Sequence, residues 1–232
     1  MLCNRLPCAK VIIFIEKSSV RRRIIWSLGR YCVSLHHTQN RNIYTEQKKV
    51  MKPIFIAGPC VIESEEILDA VASTLVDINR RLGIDIIFKA SFDKANRTSF
   101  SSYRGPGLER GMQMLGDIKD RYGLRITTDI HETYQAEAAA EVCDILQIPA
   151  FLCRQTDLLV AAAQTRRIVN IKKAQFLSGE DMRYPVEKVN KIYAARGVRQ
   201  ECWLTERGNC YGYNNLVVDF RNIPDMLQFT DR

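Results

Sequence analysis

The sequence predicts an α/β protein in which short parallel strands alternate with amphipathic helices. Three observations support this fold class. Short apolar segments recur six times after residue 51, near residues 53–58, 85–90, 125–129, 145–149, 168–172 and 201–205. The segments between them have helical periodicity, and polar residues follow all six strands rather than one switch point. Periodicity alone does not separate a doubly wound sheet from a barrel, but this placement favours a (β/α)8 TIM barrel.

The helices are bounded by residues that are typical of helix ends. Ser64 is the predicted N-cap of the first helix, and Glu65 and Glu66 suit its first turn, where the helix dipole favours acidic residues. Gly83 is predicted to end this helix, because glycine readily adopts the left-handed conformation. The same pattern predicts a helix that ends before Gly123 and another that is capped by Thr156.

The chain is short for a complete barrel. Such a barrel takes about 250 residues, and the part from Met51 to Arg232 contains six predicted strands. We therefore predict about six of eight strand–helix units in one domain spanning residues 51–232. Six parallel strands alone would leave two open edges and an exposed apolar inner face.

The net charge of +8 lies in the first fifty residues, which contain ten Lys and Arg against two Glu. The remaining residues contain as many basic as acidic side chains, so a partner that is a nucleic acid or a membrane surface is not predicted. The apolar run at residues 11–15 is too short for a secretory core or a membrane span. Residues 1–50 are expected to be a basic leader that is either disordered or not native to the fold.

The eight cysteines are scattered, without a CxxC pair, and most are predicted to be reduced thiols. Cys60 differs because it follows the first strand and a Gly58-Pro59 turn. It is therefore a candidate ligand, although a buried structural cysteine remains the alternative.

Cationic side chains close three of the predicted strands. Lys89 and Lys94 follow the second strand, Lys172 ends the fifth, and Arg207 follows the sixth. A lysine at the end of an apolar strand is costly unless an anion compensates it. Lysine binds phosphate as a point charge and arginine binds it as a bidentate fork, so the pattern predicts a phosphate and carboxylate site.

Several long motifs in the sequence resemble those of one enzyme family. FKASFDKANRTS (88–99) and SYRGPGLE (102–109) resemble the 3-deoxy-D-manno-octulosonate 8-phosphate synthases, also called 2-dehydro-3-deoxyphosphooctonate aldolases. The same order of motifs continues with AGPCVIES (57–64), TTDIHE (127–132), QIPAFLCRQTD (147–157), NIKKAQF (170–176), TERG (205–208) and YGYNNLVVDF (211–220). The resemblance implies a TIM barrel that condenses phosphoenolpyruvate with D-arabinose 5-phosphate and water, releasing phosphate. Cytoplasmic lipopolysaccharide synthesis is implied by the family alone.

The resemblance also assigns residues to the site. Phosphoenolpyruvate contacts are implied at Lys89, Lys94, Gln147, the backbone N–H of Ala150, Lys172 and Arg207. Contacts to the pentose phosphate are implied at Asn96, Arg97 and Thr98, the last replacing the family's usual serine. Arg154 matches an arginine lent by a neighbouring subunit, which implies a homo-oligomer, a tetramer in this family. Catalytic roles are assigned to Lys94, Lys172 and Asp129, with Asp129 an interior group near a metal, and His131 receives no role.

Cys60 places the sequence in the metal-dependent class of this family. A thiolate suits Zn²⁺ or Fe²⁺, and Mn²⁺ is a third candidate. The family's other ligands, a His, a Glu and an Asp, fall after Arg232. One ligand of four leaves the metal site incomplete in this chain.

Two alternatives remain at this stage. The chain is either an incomplete record of an active synthase or an inactive fragment that binds phosphate weakly at most. Among enzymes, the alternative is 3-deoxy-D-arabino-heptulosonate 7-phosphate synthase, which uses erythrose 4-phosphate. It ranks lower because the loop KANRTS differs from the KPRTS type of that family.

Overall fold

The computed structural model describes residues 9–14, 54–230 and 232. The main sheet contains seven strands: β1 (Ala9–Phe14), β2 (Ile54–Pro59), β3 (Asp85–Lys89), β4 (Arg125–Asp129), β5 (Ile145–Ile148), β6 (Ile168–Lys172) and β7 (Cys202–Thr205). A two-stranded hairpin follows, formed by β8 (Asn209–Cys210) and β9 (Leu216–Val217). The six strands predicted from the apolar segments are therefore confirmed as β2 to β7.

The helices are α1 (Glu65–Leu82), α2 (Leu108–Tyr122), α3 (Gln135–Val142), α4 (Thr156–Gln164), α5 (Arg183–Ala195) and α6 (Asn222–Met226). The Ser64 hydroxyl caps α1 by accepting from the Ile67 N–H at 3.3 Å, and Gly83 ends it with φ 61°. Gly123 ends α2 in the same way, as predicted. The cap predicted at Thr156 is displaced by one residue, because Gln155 occupies the N-cap position and Thr156 begins α4.

The strands β2 to β7 are parallel and lie in chain order, without the reversal of order found in a doubly wound sheet. Each of the first four helices packs against the next, so α1 to α5 cover one face of the sheet. The described chain is thus a parallel half-barrel of six strands with helices on its outer side.

Side chains alternate between the two faces of the sheet, since successive residues of a strand point in opposite directions. Phe88, Ile126, Leu146 and Val169 belong to the large core between sheet and helices. A second, smaller core lies on the other face and consists of Ile54, Ile56, Ile87, Ile145 and Trp203, with Ile168 packed against it.

The expectation of an exposed apolar inner face is wrong for these residues. Ile56, Ile87 and Ile145 are fully buried and Trp203 is 1% exposed. The large Trp203 ring and the isoleucines of strands β2, β3 and β5 form one contiguous cluster, which excludes water from the floor of the half-barrel.

The sheet edges also differ from expectation. β1 pairs antiparallel with β2 along its whole length, from Ala9 opposite Pro59 to Phe14 opposite Ile54. At the other edge the Leu204 N–H of β7 donates to the Arg232 carbonyl at 2.9 Å. The Thr230 hydroxyl bonds the Cys202 carbonyl beside it. Backbone groups that would otherwise be unpaired are satisfied at both edges.

The predicted basic leader lies mostly outside the described residues. Within it the structure describes residues 9–14, which form β1, a strand that the sequence analysis did not predict. Residues 1–8 and 15–50 are outside the described part. Among the described helices, none has the length and apolarity that a membrane crossing requires.

Three cysteines fill space in the core. Cys143, Cys153 and Cys202 are buried. Burial raises the pKa of the Cys143 thiol to about 12, so this thiol stays protonated and unreactive at neutral pH.

Candidate active site

The inner face changes from apolar to polar along the strands. The isoleucine floor lies at the strand beginnings, whereas the carboxyl ends carry polar side chains on the same face. The strand register joins these residues in rows, with Asp129 opposite Gln147, Gln147 opposite Asn170, and Lys172 opposite Thr205. Lys89 lies opposite Thr127, two residues before Asp129. The alternation of side chains therefore brings four of the predicted site residues, Lys89, Asp129, Gln147 and Lys172, to one edge of one face.

A compact ionic cluster forms where β3 and β4 end. The Lys89 ammonium lies 2.9 Å from Asp129 Oδ1, and both side chains are only 11% exposed. The Ser91 hydroxyl donates to the same carboxylate oxygen and accepts from Lys94 Nζ at 2.6 Å. The second oxygen, Asp129 Oδ2, is 3.3 Å from His131 Nε2. One carboxylate thus holds a lysine, a serine and a histidine, and the serine connects it to a second lysine.

Asp129 is ionised at neutral pH in this environment. Burial raises the pKa of its carboxyl, but Lys89, the His131 hydrogen bond, Lys94 and Ser91 together outweigh burial and hold the pKa well below its usual value. The cluster combines two ammonium groups with one carboxylate. Its excess positive charge suits an anionic ligand.

The loop that carries Lys94 is braced by the Arg104–Gly107 turn. Arg104 forms two hydrogen bonds to the Asp93 carboxylate, at 2.8 and 2.5 Å, and its carbonyl accepts from the Lys94 N–H at 2.7 Å. Gly105 has φ 126°, and a methyl group there would overlap the Phe92 carbonyl oxygen. The Asp93 carboxylate therefore binds Arg104 and braces the loop.

The residues implied for the pentose phosphate lie on the exposed part of this loop. Asn96, Arg97 and Thr98 are all exposed. Arg97 donates from Nε to the Tyr103 carbonyl at 3.2 Å and lines a cavity of about 560 Å³ with Val61, Glu63, Ser102 and Tyr103. The Arg97 guanidinium therefore lies at the wall of a hollow, and Val61 on the same wall pairs with Ser91 of the Lys89 cluster.

Gln147, Ala150 and Arg154 follow one another at the end of β5. Gln147 is buried, and its Oε1 atom is buried with no hydrogen-bond partner among the described residues. Ala150 is buried at the start of a short 3-10 turn, Ala150–Leu152. The Arg154 side chain is exposed, and its carbonyl accepts from Lys188 Nζ at 3.3 Å. Gln147 and Ala150 face the interior, and Arg154 faces outward.

Lys172 and Arg207 lie on neighbouring connections after β6 and β7. Lys172 is partly buried at the end of β6, and Arg207 is exposed. Between them lies Lys173, whose ammonium is buried and bonded to both connections. The structure therefore brings Lys89, Lys94 and Asp129 into one contact cluster. It places Lys172 on the same face and Arg207 on the adjacent loop.

Comparison with known protein sequences shows the family of this chain. The family model described as "DAHP synthetase I family" matches residues 37–232. The chain belongs to the DAHP synthetase I family. The match begins before Met51, the predicted start of the domain.

Three curated relatives carry the name 2-dehydro-3-deoxyphosphooctonate aldolase. The chain is 54% identical to the Helicobacter pylori protein over 193 residues, which is 80% of this chain and 70% of that protein. It is 57% identical to the Wolinella succinogenes protein over 182 residues, which is 76% of this chain and 69% of that protein. It is 53% identical to a Campylobacter jejuni protein over 187 residues, which is 77% of this chain and 68% of that protein. The chain is therefore a member of the 2-dehydro-3-deoxyphosphooctonate aldolases, and the heptulosonate alternative is not favoured.

Cys60 is the metal ligand predicted for this aldolase family member. The turn predicted at Gly58-Pro59 is wrong, because both residues belong to β2 and pair with β1. Cys60 directly follows them at the same end of the sheet as Lys89 and is partly exposed. In residues 54–230 and 232, no three His, Cys, Asp or Glu side chains converge on a point that could hold a metal ion. Asp129 and His131 are committed to the lysine cluster. The described residues therefore do not by themselves fit a divalent metal, because one thiolate falls short of the four ligands that such ions take.

Sequence reasoning missed Ser91 and Lys173 and gave His131 no role. Ser91 lies within the FKASFDK motif, and its alternation with Lys89 along the chain was a usable signal for a shared face. Lys173 could have been singled out because two consecutive lysines at a strand end point in opposite directions. The contact between His131 and Asp129 was also foreseeable, since the two residues are separated by one position after β4. The Asn170–Thr205 hydrogen bond, 2.8 Å long, joins two strands and had no sequence signal.

Proposed function

We propose that this chain catalyses the condensation of phosphoenolpyruvate with D-arabinose 5-phosphate and water, giving 3-deoxy-D-manno-octulosonate 8-phosphate and phosphate. The observation that carries the proposal is the cluster of Lys89, Lys94, Ser91 and Asp129 at the end of β3 and β4. The chain that carries this cluster belongs to the 2-dehydro-3-deoxyphosphooctonate aldolases. Both substrates are small phosphorylated anions, which suit converging cations.

Phosphoenolpyruvate is proposed to bind between the Lys89 cluster and the β6–β7 loops. Lys94, Lys172 and Arg207 supply positive charge for its phosphate and carboxylate, and buried Gln147 lies between Asp129 and Asn170 in the register. Carbon 3 of the enolpyruvate attacks the pentose aldehyde, water adds at carbon 2, and the carbon–oxygen bond to phosphate then breaks. Fixed ammonium and guanidinium groups stabilise the charge that develops on phosphate and carboxylate during these steps.

Asp129 is proposed to act by holding the lysines in place. Because its pKa lies well below the usual value, the carboxylate stays charged at the pH of the reaction and does not serve as a proton donor. Its bonds to Lys89 and Ser91 orient Lys89 directly and Lys94 through the serine hydroxyl. This role explains why removal of a carboxylate should weaken binding of an anion.

The pentose phosphate is proposed to bind at Asn96, Arg97 and Thr98. Arg97 lines the cavity of about 560 Å³ beside the cluster, which has room for a small sugar phosphate. Its Nε bond to the Tyr103 carbonyl leaves the terminal guanidinium nitrogens as a fork for phosphate. The aldehyde end of the sugar would then point towards the lysines.

Several wider assignments are part of the same proposal. The six observed strand–helix units are taken as part of an eight-unit barrel, because the strands lie in chain order with the helices on one side. The exposed Arg154 is taken as the arginine given to a neighbouring subunit of a homo-tetramer. Neither a nucleic acid nor a membrane is a partner, and the site of action is the cytoplasm.

Cys60 is proposed as a ligand of a divalent ion, Fe²⁺, Zn²⁺ or Mn²⁺, without a complete ligand set among the described residues. Elemental analysis of the purified chain and of Cys60→Ala tests the assignment. Full metal content in the variant would refute it.

The test of the function is phosphate release by the full chain with both substrates present. We expect Lys172→Ala and Arg207→Ala each to lower kcat/KM for phosphoenolpyruvate by about 100-fold, a usual loss when one charge-stabilising donor is removed. Lys191→Ala, which removes an exposed lysine on α5, is the matched control and should leave the rate unchanged.

Three results would contradict this proposal. Faster release with erythrose 4-phosphate than with arabinose 5-phosphate would favour the heptulosonate reaction. Binding of phosphoenolpyruvate without turnover, measured by calorimetry, would favour an inactive fragment. Neither binding nor turnover by a chain with a native circular-dichroism spectrum would remove the assignment altogether.

A further inference from the structure

A buried lysine stands directly beside the phosphoenolpyruvate lysine. Lys173 is 0% exposed, and it lies on the side of the chain opposite to Lys172. Its Nζ atom donates to the carbonyls of Ala174 and Leu177, both at 3.1 Å, to Asn209 Oδ1 at 2.8 Å and to the Gly208 carbonyl at 3.3 Å. Four acceptors surround one ammonium group, which has three protons to share among them.

These acceptors belong to two different connections. Ala174 and Leu177 lie in the segment after β6, and Gly208 and Asn209 lie in the segment after β7. Backbone bonds support the same junction, since the Lys173 N–H donates to the Thr205 carbonyl at 2.9 Å and the Cys210 N–H donates to the Gln175 carbonyl at 3.0 Å. The Lys173 ammonium is therefore the side-chain link between the loop that begins at Lys172 and the loop that carries Arg207.

The contacts of Lys173 lie on both sides of Arg207. Glu206 Oε2 is 3.8 Å from the ammonium, and the Gly208 carbonyl accepts from it. Glu206 also accepts from the Gly208 N–H, which closes a small ring around Arg207. With both chain neighbours held by one buried charge, the backbone of Arg207 is fixed although its side chain is exposed.

Burying the charge of Lys173 costs free energy unless its hydrogen bonds compensate for the lost hydration. Burial lowers the pKa of Lys173, with Glu206 opposing the shift. Hydrogen bonds that involve a charged donor are stronger than neutral ones, so the buried ammonium holds together the acceptors of both connections. An apolar side chain would fill the space but would leave the carbonyls of Gly208 and Leu177 without this partner.

We propose that Lys173 is a positioning residue for phosphoenolpyruvate binding, which acts by holding Lys172 and Arg207 in register with each other. The proposal rests on the proposed function, because it assigns both cations to that substrate. Lys173 itself contacts neither substrate and is not a catalytic residue. The expected signature is a selective loss of affinity for one substrate.

The test compares Lys173→Met with Lys191→Met in the full chain. Methionine is unbranched and only one atom shorter than lysine, and it removes the charge; Lys191 is an exposed control on α5. We expect KM for phosphoenolpyruvate to rise on the order of tenfold or more, since small misplacements of binding groups have effects of this size. KM for arabinose 5-phosphate should change less than twofold, because Arg97 lies on another loop. An equal rise in both KM values, or a fall in kcat with neither changed, would overturn the proposal.

A second readout does not need activity. Trypsin cleaves after arginine, and mass spectrometry measures the rate of cleavage at each site. Lys173→Met should accelerate cleavage at Arg207–Gly208 and leave cleavage after the exposed Arg97 unchanged. Unchanged cleavage at Arg207 would contradict the proposed fixation. If the wild-type chain shows no turnover, the proposed function fails by that result alone, whereas selective acceleration at Arg207 still supports Lys173 as the residue that fixes this loop.

A milder variant covers the case in which Lys173→Met does not fold. Asn209→Ala removes the 2.8 Å acceptor and leaves the ammonium with its three carbonyl acceptors. It should produce the same selective rise in KM for phosphoenolpyruvate, several-fold in size. A variant with both KM values unchanged would count against the proposal.

Discussion

At the scale of single residues, Lys89 and Asp129 show how an apolar strand can end in charges. Each side chain is 11% exposed, so each would be costly to bury alone. Their 2.9 Å contact, together with Ser91 and His131, satisfies both groups without a ligand. The site is therefore formed before substrate arrives.

Replacing Asp129 by asparagine should destabilise the protein strongly at neutral pH. Removing one partner of a buried pair costs about 3–5 kcal/mol, because the other charge is left uncompensated. The pKa of Asp129 is lowered in the folded state, so the carboxylate contributes stability above its unfolded pKa of about 3.9. This contribution is lost as the pH falls through the lower folded pKa.

Urea unfolding at several pH values measures this effect. The difference in unfolding free energy between the wild type and Asp129→Asn should be large at pH 7 and shrink as the pH is lowered below about 4. Asp77→Asn, which breaks an exposed pair with Arg81, should change stability little at either pH. If the difference in unfolding free energy between the wild type and Asp129→Asn did not depend on pH, the Asp129 charge would not be the cause of the destabilisation.

At the scale of elements, the approach of β2 to β3 depends on a glycine. A methyl group on Gly58 would overlap the backbone carbonyl of Lys89. Gly58 thus allows the end of β2, and with it Cys60, to lie against the end of β3. No other residue type would allow this contact without separating the strands.

We expect Gly58→Ala to lower the free energy of unfolding by about 1–3 kcal/mol, the usual cost of overpacking. It should also weaken phosphoenolpyruvate binding, because the displaced backbone is that of Lys89. Gly116→Ala is the matched control, since Gly116 lies within α2 and its nearest neighbour is Val142 at 3.9 Å. Alanine there should be neutral or slightly stabilising. Equal melting temperatures for Gly58→Ala and wild type would contradict the packing argument.

At the scale of the whole molecule, the described chain is a half-barrel whose floor is closed by Trp203 and isoleucines while its upper face is polar. The sheet edges are occupied by β1 on one side and by Thr230 and Arg232 on the other. Arg154 lies outside this arrangement on an exposed turn. An exposed arginine is accessible to a neighbouring subunit, which is the role proposed for Arg154.

Mixing two inactive variants tests whether Arg154 serves a neighbour. Arg154→Ala and Lys172→Ala should each be nearly inactive alone. Dissociated and reassembled together, they should regain part of the activity, because some sites would combine an intact Lys172 with an Arg154 from the adjacent subunit. Size-exclusion chromatography with light scattering checks that mixed oligomers form. No recovery from verified mixed oligomers would place Arg154 in its own subunit's site or in none.

Much of this arrangement was predictable along the chain. The six strands and the ends of α1 and α2 follow from apolar periodicity, Ser64, Gly83 and Gly123, because these are local preferences of the backbone. The family also followed from the sequence, since FKASFDKANRTS and NIKKAQF are long enough to be specific. The roles of Ser91 and Lys173 were missed because their partners, Asp129 and Asn209, are distant in sequence. The role of His131 was foreseeable, since its partner Asp129 is only two residues away.

The sequence by itself determined the order of strands and helices, the cations that end β3 and β6, and the aldolase family. Only the tertiary structure decided that Asp129 binds Lys89 across two strands, that Asp93 binds Arg104, and that Lys173 turns inward between two loops. The physical reason is that local patterns set which face of a strand a residue occupies. The compensation of a buried charge depends on which distant groups the folded chain brings within hydrogen-bond distance.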